Sequence, residues 1–423
     1  MLPRVKILQI GDIHLPSAAS SKLHVDSKDE RFPVELKGVI AAHPIKSVFR
    51  EIYRILEHGD ISAALFMGDL TDIGDLKGYQ ACVQYVSRAL ELGPDGAFAA
   101  LPVGFLPGNH DIDRSLAKLP GLTTKFDPLV AALSAEGLVN IPVLKPLWLE
   151  VSSGNAKTRI ALLNSCWGCG SNEFVPEEFR EGVIAAIDAA LAGGKSERAV
   201  RAYYDRQFDT PAFNEGCINE IASSSETLGG DLLIVCAHHN LLPQRLPRLA
   251  PYTELVNSGA LRATLAELGR PIVYLHGHIH EDPVEIVHVP GGDPLVCISA
   301  PEASAGFNIL EMVSTQQGLP LSCRITQWRF NRGGQLRPQK PVTISLVGNR
   351  RRSASGALSQ IYSSLLKTGE IYWADMMEIG KDIFTNDVEE QLGEALELLA
   401  ADGRVTIENH DLDRPNWIVG AKI

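Results

Sequence analysis

Five short polar islands constrain this chain more than any other feature. They are Gly11-Asp12-Ile13-His14, Gly68-Asp69-Leu70-Thr71-Asp72, Gly108-Asn109-His110-Asp111, His238-His239 and Gly277-His278-Ile279-His280. Each follows an apolar run: Val5 to Ile10, Ala63 to Met67, Leu101 to Leu106, Leu232 to Ala237, and Ile272 to Leu275. A buried strand that ends in a metal-type side chain is how an α/β sheet assembles a site along its carboxyl edge. A single island reads as a capped strand end; five in series describe one edge of one sheet region.

The intervening segments supply helices. Ile45, Val48, Phe49, Ile52, Ile55 and Leu56 fall on one face at helical spacing, and residues 78–92 repeat the pattern between the second and third islands. This βαβ alternation predicts a largely parallel sheet with helices on its faces. Residues 15–42 are polar and aperiodic, the pattern of a loop beside the first island, and residues 175–228 are placed to form a helical cap over the site. From Val284 onward short strands (284–288, 295–299, 307–312, 322–330) separated by Gly/Pro turns predict a meander.

At 423 residues the chain exceeds one compact core, so a second domain is expected. Composition changes after Pro341, which divides the chain into a main domain at 1–340, a basic linker at 341–355 and a small domain at 356–423. The last contains helical stretches near 356–367, 371–380 and 386–401, then strands at 404–408 and 416–419, the order of a winged helix. Val388, Leu392, Ala395, Leu396 and Leu399 form the expected buried face of its third helix.

Charge is unevenly distributed. Residues 1–323 carry 26 basic and 38 acidic side chains, residues 324–352 carry eight basic and no acidic ones, and residues 353–423 carry five basic and 13 acidic ones. The middle block (Arg324, Arg329, Arg332, Arg337, Lys340 and Arg350 to Arg352) reads equally as a phosphate-attracting surface or a solvated strand pair. No apolar run approaches the roughly 18–20 residues that span a bilayer, and the first motif leaves no room for a secretory signal. Seven scattered cysteines suit reduced thiols in a cytoplasmic protein. Cys166-Trp167-Gly168-Cys169 lacks a second pair to complete a zinc site and reads as packing.

Phosphoester hydrolysis requires charge neutralisation on a phosphoryl group and a nucleophile near neutral pH, which two divalent ions about 3.5–4 Å apart supply together. Such a pair needs a shared carboxylate, further anionic ligands and neutral imidazoles, the mixture found in the islands. Nitrogen and oxygen donors without cysteine suit Mn²⁺, Fe or Zn²⁺. The ordered set D-x-H, G-D-x-x-D, G-N-H-D, H-H and G-H-x-H resembles the calcineurin-like metallophosphoesterase superfamily over roughly residues 5–312.

That resemblance implies an α/β fold, a β-sandwich flanked by helices, with two divalent ions, Mn²⁺ first among them. It implies that Asp12, His14 and His280 hold one metal, Asp69 bridges, and Asn109, His238 and His278 hold the other. His110 resembles the family's non-ligand catalytic histidine, and Asp72 would orient it. His278 and His280 are two apart, so extended backbone would point both the same way. Among the histidine pair, His238 matches the ligand position better than His239. His276 reads as a core histidine, Asp111 as a structural group, and Asn164 and Ser165 as pocket lining or a plain strand end.

Ile73-Gly74 stands where the resemblance to phosphoprotein phosphatases would need Arg-Gly, and the paired final histidines resemble the phosphodiesterase and nuclease branches. The expectation is a diester substrate, nucleic acid ahead of a small cyclic nucleotide. Phosphoprotein dephosphorylation or a non-catalytic regulatory role are the alternatives. The C-terminal domain's third helix carries Asp387, Glu389, Glu390, Glu394 and Glu397, which would repel phosphates, so that domain reads as a protein-docking or self-association device.

Overall fold

The computed structural model describes residues 2–15, 44–71, 76–113, 116–118, 122–170, 210–224, 231–243, 254–281, 283–288, 292–348 and 356–422, with isolated positions between 178 and 227. The first strand, β1 (Arg4–Ile10), is followed by α1 (Ile45–Glu57), β2 (Ala63–Phe66), α2 (Leu76–Ala89) and β3 (Val103–Phe105). Then come α3 (Asp127–Ala135) and the hairpin β4 (Leu147–Ser153) and β5 (Ala156–Leu162). The chain continues through α4 (Glu215–Ser223), β6 (Leu232–Cys236), α5 (Ser258–Glu267), β7 (Ile272–His276), β8 (Val284–Val287) and β9 (Leu295–Ser299). Four more strands follow: β10 (Gly306–Ser314), β11 (Pro320–Phe330), β12 (Leu336–Pro338) and β13 (Val342–Ser345). The C-terminal unit comprises α6 (Gly356–Thr368), β14 (Ile371–Tyr372), α7 (Trp373–Ile383), α8 (Val388–Ala401), β15 (Val405–Glu408) and β16 (Ile418–Ala421).

The largely parallel strands read from the βαβ alternation are divided between two mixed sheets, the helix-flanked β-sandwich that the family resemblance implies. One has the order β12-β11-β10-β1-β2-β3, with β13 also on β11; the other runs β4-β5-β6-β7-β9-β8. The parallel βαβ reading holds for β1, β2 and β3 and for β5, β6, β7 and β9. The meander divides, because β9 and the edge strand β8 complete the second sheet whereas β10 lies antiparallel on β1 in the first. Local periodicity identifies a strand and says nothing about which sheet receives it.

The sheets face each other across a core that includes Val5, Ile7, Leu65 and Met67 from one side and Ile160, Leu162, Ile234 and Val273 from the other. On the outer face of the first sheet α1, α2 and α3 bury Val48, Phe49, Ile52, Tyr79 and Leu133. On the outer face of the second, α4 and α5 bury Ile218, Ile221, Leu261 and Leu265. Central strands therefore lose both faces to solvent exclusion, which is why the sequence shows continuous apolar runs and not alternation. Each such aliphatic side chain contributes about 1.5–3 kcal/mol of burial.

The expected boundary at residue 340 falls too early, since β13 pairs with β11 from Ser322↔Ser345 to Ile325↔Val342. The C-terminal helices and strands occur in the expected order, with β14 added to a β14-β16-β15 antiparallel sheet. Their core holds Leu358, Ile361, Trp373, Leu392, Leu396 and Trp417. Residues 16–42 of the expected loop, most of residues 175–209 of the expected cap and the Arg350 to Arg352 cluster lie outside the described residues, whereas α4 from the end of the cap segment packs on the second sheet. No helix among the described residues is long and apolar enough to cross a membrane.

Candidate metal centre

Each island begins where its strand ends, so adjacent parallel strands bring the islands to a common edge. The backbone ties them together: Ile13 and His14 donate N–H bonds to Asp69 O at 2.9 and 2.8 Å, and Gly277 donates to His238 O at 3.0 Å. His14, Asp69, His278 and His280 all have positive φ (45°, 46°, 66° and 54°). Non-glycine residues in this region cost about 1–3 kcal/mol each and persist only where their surroundings hold them. This corrects the expectation for His278 and His280, which leave β7 in left-handed turns and not in extended backbone.

Seven side chains converge there. His280 Nε2 lies 2.8 Å from Asp12 Oδ2 and 3.3 Å from His14 Nε2. On the other side His238 Nε2 lies 3.1 Å from Asn109 Oδ1 and 3.3 Å from Asp69 Oδ2. Asp69 Oδ2 is also 3.7 Å from His14 Nε2, which sets this one carboxylate oxygen between the two groups. The His278 ring stacks edge-on to His238 with centroids 5.1 Å apart. Asp12 and Asp69 are 1% and 2% exposed, and the charge partners recorded for them are imidazoles.

The electrostatics of this cluster favour a cation. Burial alone would raise the Asp69 carboxyl, yet the imidazoles of His238, His110 and His14 outweigh it and hold the group well below the usual carboxylate range. Burial works against charge on His238 too, but Asp69 and Asp12 push its pKa up to about 10. His278, buried and faced by His239 and His238, is driven well below the ordinary imidazole value and is a neutral donor. His238 Nδ1 sits 2.8 Å from Met67 O, an acceptor only, so Nδ1 keeps its proton and Nε2, beside Asp69 and Asn109, is the nitrogen that would give up its proton to a metal ion. A donor set of two carboxylates, one amide oxygen and four imidazoles fits two divalent ions without excess negative charge.

Supporting groups emerge that the sequence did not display. Met67 O is main chain and carries no sequence signal. Asp111 accepts from the N–H groups of Gly108, Leu70 and Thr71 at 3.0–3.1 Å, locking the third island onto the second, as its structural reading required. Burial, then the Asp69 charge, raises its carboxyl to about 6. A Cβ at Gly108 would overlap the Asp69 carboxylate, and one at Gly277 the Asp12 carboxylate, so these glycines serve close approach. His276 is buried and bonded to backbone, a core histidine as expected.

His110 stands at the rim. Its ring packs edge-on to His14 with centroids 4.8 Å apart, and its N–H donates to Asp69 Oδ1 at 2.8 Å. Asp72, its expected orienting partner, lies outside the described residues. Asn164 accepts from Cys166 N, and Ser165 Oγ lies 2.9 Å from His239 Nδ1, so this pair abuts the histidines from behind.

Two basic residues counted as phosphate-attracting are committed elsewhere. Arg324 is 4% exposed and lies between Glu311 (3.5 Å) and Glu397 (3.7 Å). Arg329 donates to Phe307 O and Asn308 Oδ1, both at 2.8 Å, at the end of a buried polar chain through Gln9 to His276 O.

The motif of the calcineurin-like phosphoesterase family matches residues 5–282, about two thirds of the chain. The protein belongs to that family, and metal-dependent phosphoester hydrolysis is the chemistry of its centre. Among solved structures it is similar to a dimetal phosphatase from Danio rerio, with 12% identity over 82% of this chain and 100% of that one, at a TM-score of 0.44. It is also similar to a 5'-nucleotidase precursor from Thermus thermophilus, with 15% identity over 76% of this chain and 54% of that one, at a TM-score of 0.36. A calcineurin-like phosphoesterase from Bacillus subtilis shares 12% identity over 82% and 92% of the two chains, at a TM-score of 0.35. No curated protein matches.

Proposed function

We propose that the protein is a phosphodiesterase that hydrolyses nucleic acid, with a small cyclic nucleotide as the second substrate class. The observation that carries the diester reading is the segment Gly68-Asp69-Leu70-Thr71-Asp72-Ile73-Gly74, which lacks Arg-Gly after its second aspartate. In this reading Asp12, His14 and His280 hold one ion, Asn109, His238 and His278 the other, and Asp69 both. Mn²⁺ suits this nitrogen and oxygen set, with Fe or Zn²⁺ as alternatives. Bound there, two divalent ions supply Lewis-acid charge and an acidified water.

The chain's own residues do the rest. Asp69 is kept anionic by three imidazoles. The Met67 carbonyl fixes the tautomer of His238. Beside His14, His110 holds an imidazole where it can give a proton to the departing alkoxide oxygen. Seven free, buried cysteines accord with the reducing cytoplasm as its location. The winged-helix-like C-terminal unit serves as a protein-docking or self-association module, which light scattering tests.

The experiment is a comparison of bis-p-nitrophenyl phosphate, p-nitrophenyl phosphate, cyclic AMP, and single- and double-stranded DNA and RNA, with each metal supplied in turn. The expected result is Mn²⁺-supported cleavage of diesters above the monoester. A monoesterase preference, or action on phosphoserine peptides, overturns the reading.

A further inference from the structure

The sequence left Cys166-Trp167-Gly168-Cys169 as a lone pair without partners. Folding brings a third donor to it. Cys166, Cys169 and His239 place their Sγ, Sγ and ring nitrogen within 4.8 Å of one another, and all three residues are buried. Cys166 Sγ is 3.8 Å from His239 Nδ1. Zn–S and Zn–N bonds of about 2.3 and 2.0–2.1 Å put tetrahedral donors roughly 3.4–3.8 Å apart, close to the separation found.

The three donors are also held in place before any ion arrives. Cys169 N–H closes a turn onto Cys166 O at 3.0 Å, and Cys166 N–H donates to Asn164 Oδ1 at 2.9 Å. Lys125, 1% exposed, inserts its ammonium beneath the turn, donating to Trp167 O at 2.6 Å and to Cys169 O. His239 is anchored through its main chain, its N–H donating to Ser165 Oγ at 3.1 Å and its carbonyl accepting from Tyr274 Oη at 2.8 Å. Ser165 Oγ and Pro107 O border the donors, 2.9 Å from His239 Nδ1 and 3.3 Å from Cys166 Sγ, and offer oxygen for a fourth position.

We propose that Cys166, Cys169 and His239 form a separate zinc site behind the dinuclear centre. Binding displaces the two thiol protons to solvent, so a neutral Zn(thiolate)₂ unit with a neutral imidazole replaces two thiols, and no redox step is involved. The zinc joins the loops after β5 and β6. The His239 ring lies 4.4 Å from that of His278, so the site acts on the catalytic cluster by positioning a donor and not by contacting substrate.

The test is cobalt reconstitution of the full chain, read by absorption. A sulfur-to-cobalt charge-transfer band reports thiolate ligation and nothing from the dinuclear centre, which contains no sulfur donor. The band is expected in the wild type, retained in Asp69→Asn and lost in Cys169→Ser, with one zinc fewer per chain by elemental analysis in the latter. Cobalt uptake without this band, or unchanged zinc content in Cys169→Ser, overturns the proposal. Should Cys169→Ser fail to fold, mercurial titration of the native wild type decides: zinc released to a chromophoric chelator in step with two thiols supports the site. Thiol titration that releases no zinc overturns it.

Discussion

The chemistry of this protein is concentrated in side chains whose backbones sit in left-handed turns, and single substitutions there separate the roles. Asp69 turns a single carboxylate oxygen, Oδ2, toward both His14 and His238. Asp69→Asn removes the shared charge, so metal content and turnover should fall together; elemental analysis alongside a diesterase assay checks this, and two retained ions with near wild-type rate would exclude bridging. His110 touches Asp69 only through its main-chain N–H and presents its ring at the rim. His110→Ala should therefore lower turnover by roughly 10²–10⁴, the usual range for a positioned proton donor, with metal content unchanged. Loss of metal in that variant would make His110 a ligand.

At the scale of elements, the strand ends decide which basic residues can meet a polyanion. β11 is antiparallel to β10, and β10 to β1, so β11 finishes at the same end of the sheet as β1, where the first island lies. The turn beyond it carries Arg332, and the returning β12 and the segment after it carry Arg337 and Lys340, all exposed. If the substrate is a duplex, neutralising these three should weaken binding and flatten its salt dependence by about 0.9 in slope for each phosphate that is no longer paired with a cation, measured by fluorescence anisotropy at several salt concentrations. Arg329→Gln should leave that slope unchanged and instead lower the melting temperature, because its guanidinium bonds Phe307 O and Asn308 inside the sheet. A slope change on Arg329→Gln alone would return that residue to the binding surface.

For the whole molecule, the C-terminal unit is docked and not tethered. Glu397 on α8, expected on a solvent-facing acidic helix, is fully buried against the first sheet. It accepts from Ser322 Oγ at 2.5 Å, lies 2.7 Å from His410 Nε2, and is 3.7 Å from Arg324, which with Arg4 flanks Glu311. Burial pushes the Glu397 carboxyl up, but His410, Arg324 and Ser322 prevail and hold it at about 2, below its ordinary 4.5. A depressed folded value means the stabilisation is full above about pH 4.5 and disappears as pH falls toward 2. Glu397→Gln leaves Arg324 with Glu311 alone and removes the charge facing His410, and should cost up to about 3–5 kcal/mol, the range for breaking a buried ion pair. Thermal melts at pH 7 and pH 3 should show the variant's deficit shrinking in acid; an equal deficit at both would remove the carboxylate charge as its cause. Deleting the unit also uncovers Arg324 and the face of β11, so lower stability of the remaining domain is expected alongside any loss of self-association.

Local sequence determined where this chain makes strands and which residues end them. Strands covered on both faces must be apolar throughout, and metal chemistry admits few side-chain types, so the five islands from Asp12 to His280 were legible one after another. The helices α1, α2 and α8 were legible for a similar reason, since their buried stripes repeat at the helical period. Everything that depends on which distant segment arrives opposite was decided by tertiary structure. β10 pairs with β1 across some 300 residues of chain, Glu397 meets Ser322 across 75, and His239 meets Cys166 across 73. Composition shows eight positive charges between residues 324 and 352 but not that Arg324 and Arg329 face inward. Periodicity is a property of neighbours along the chain, whereas burial and charge pairing belong to neighbours in space, which are chosen only when the two sheets close on each other.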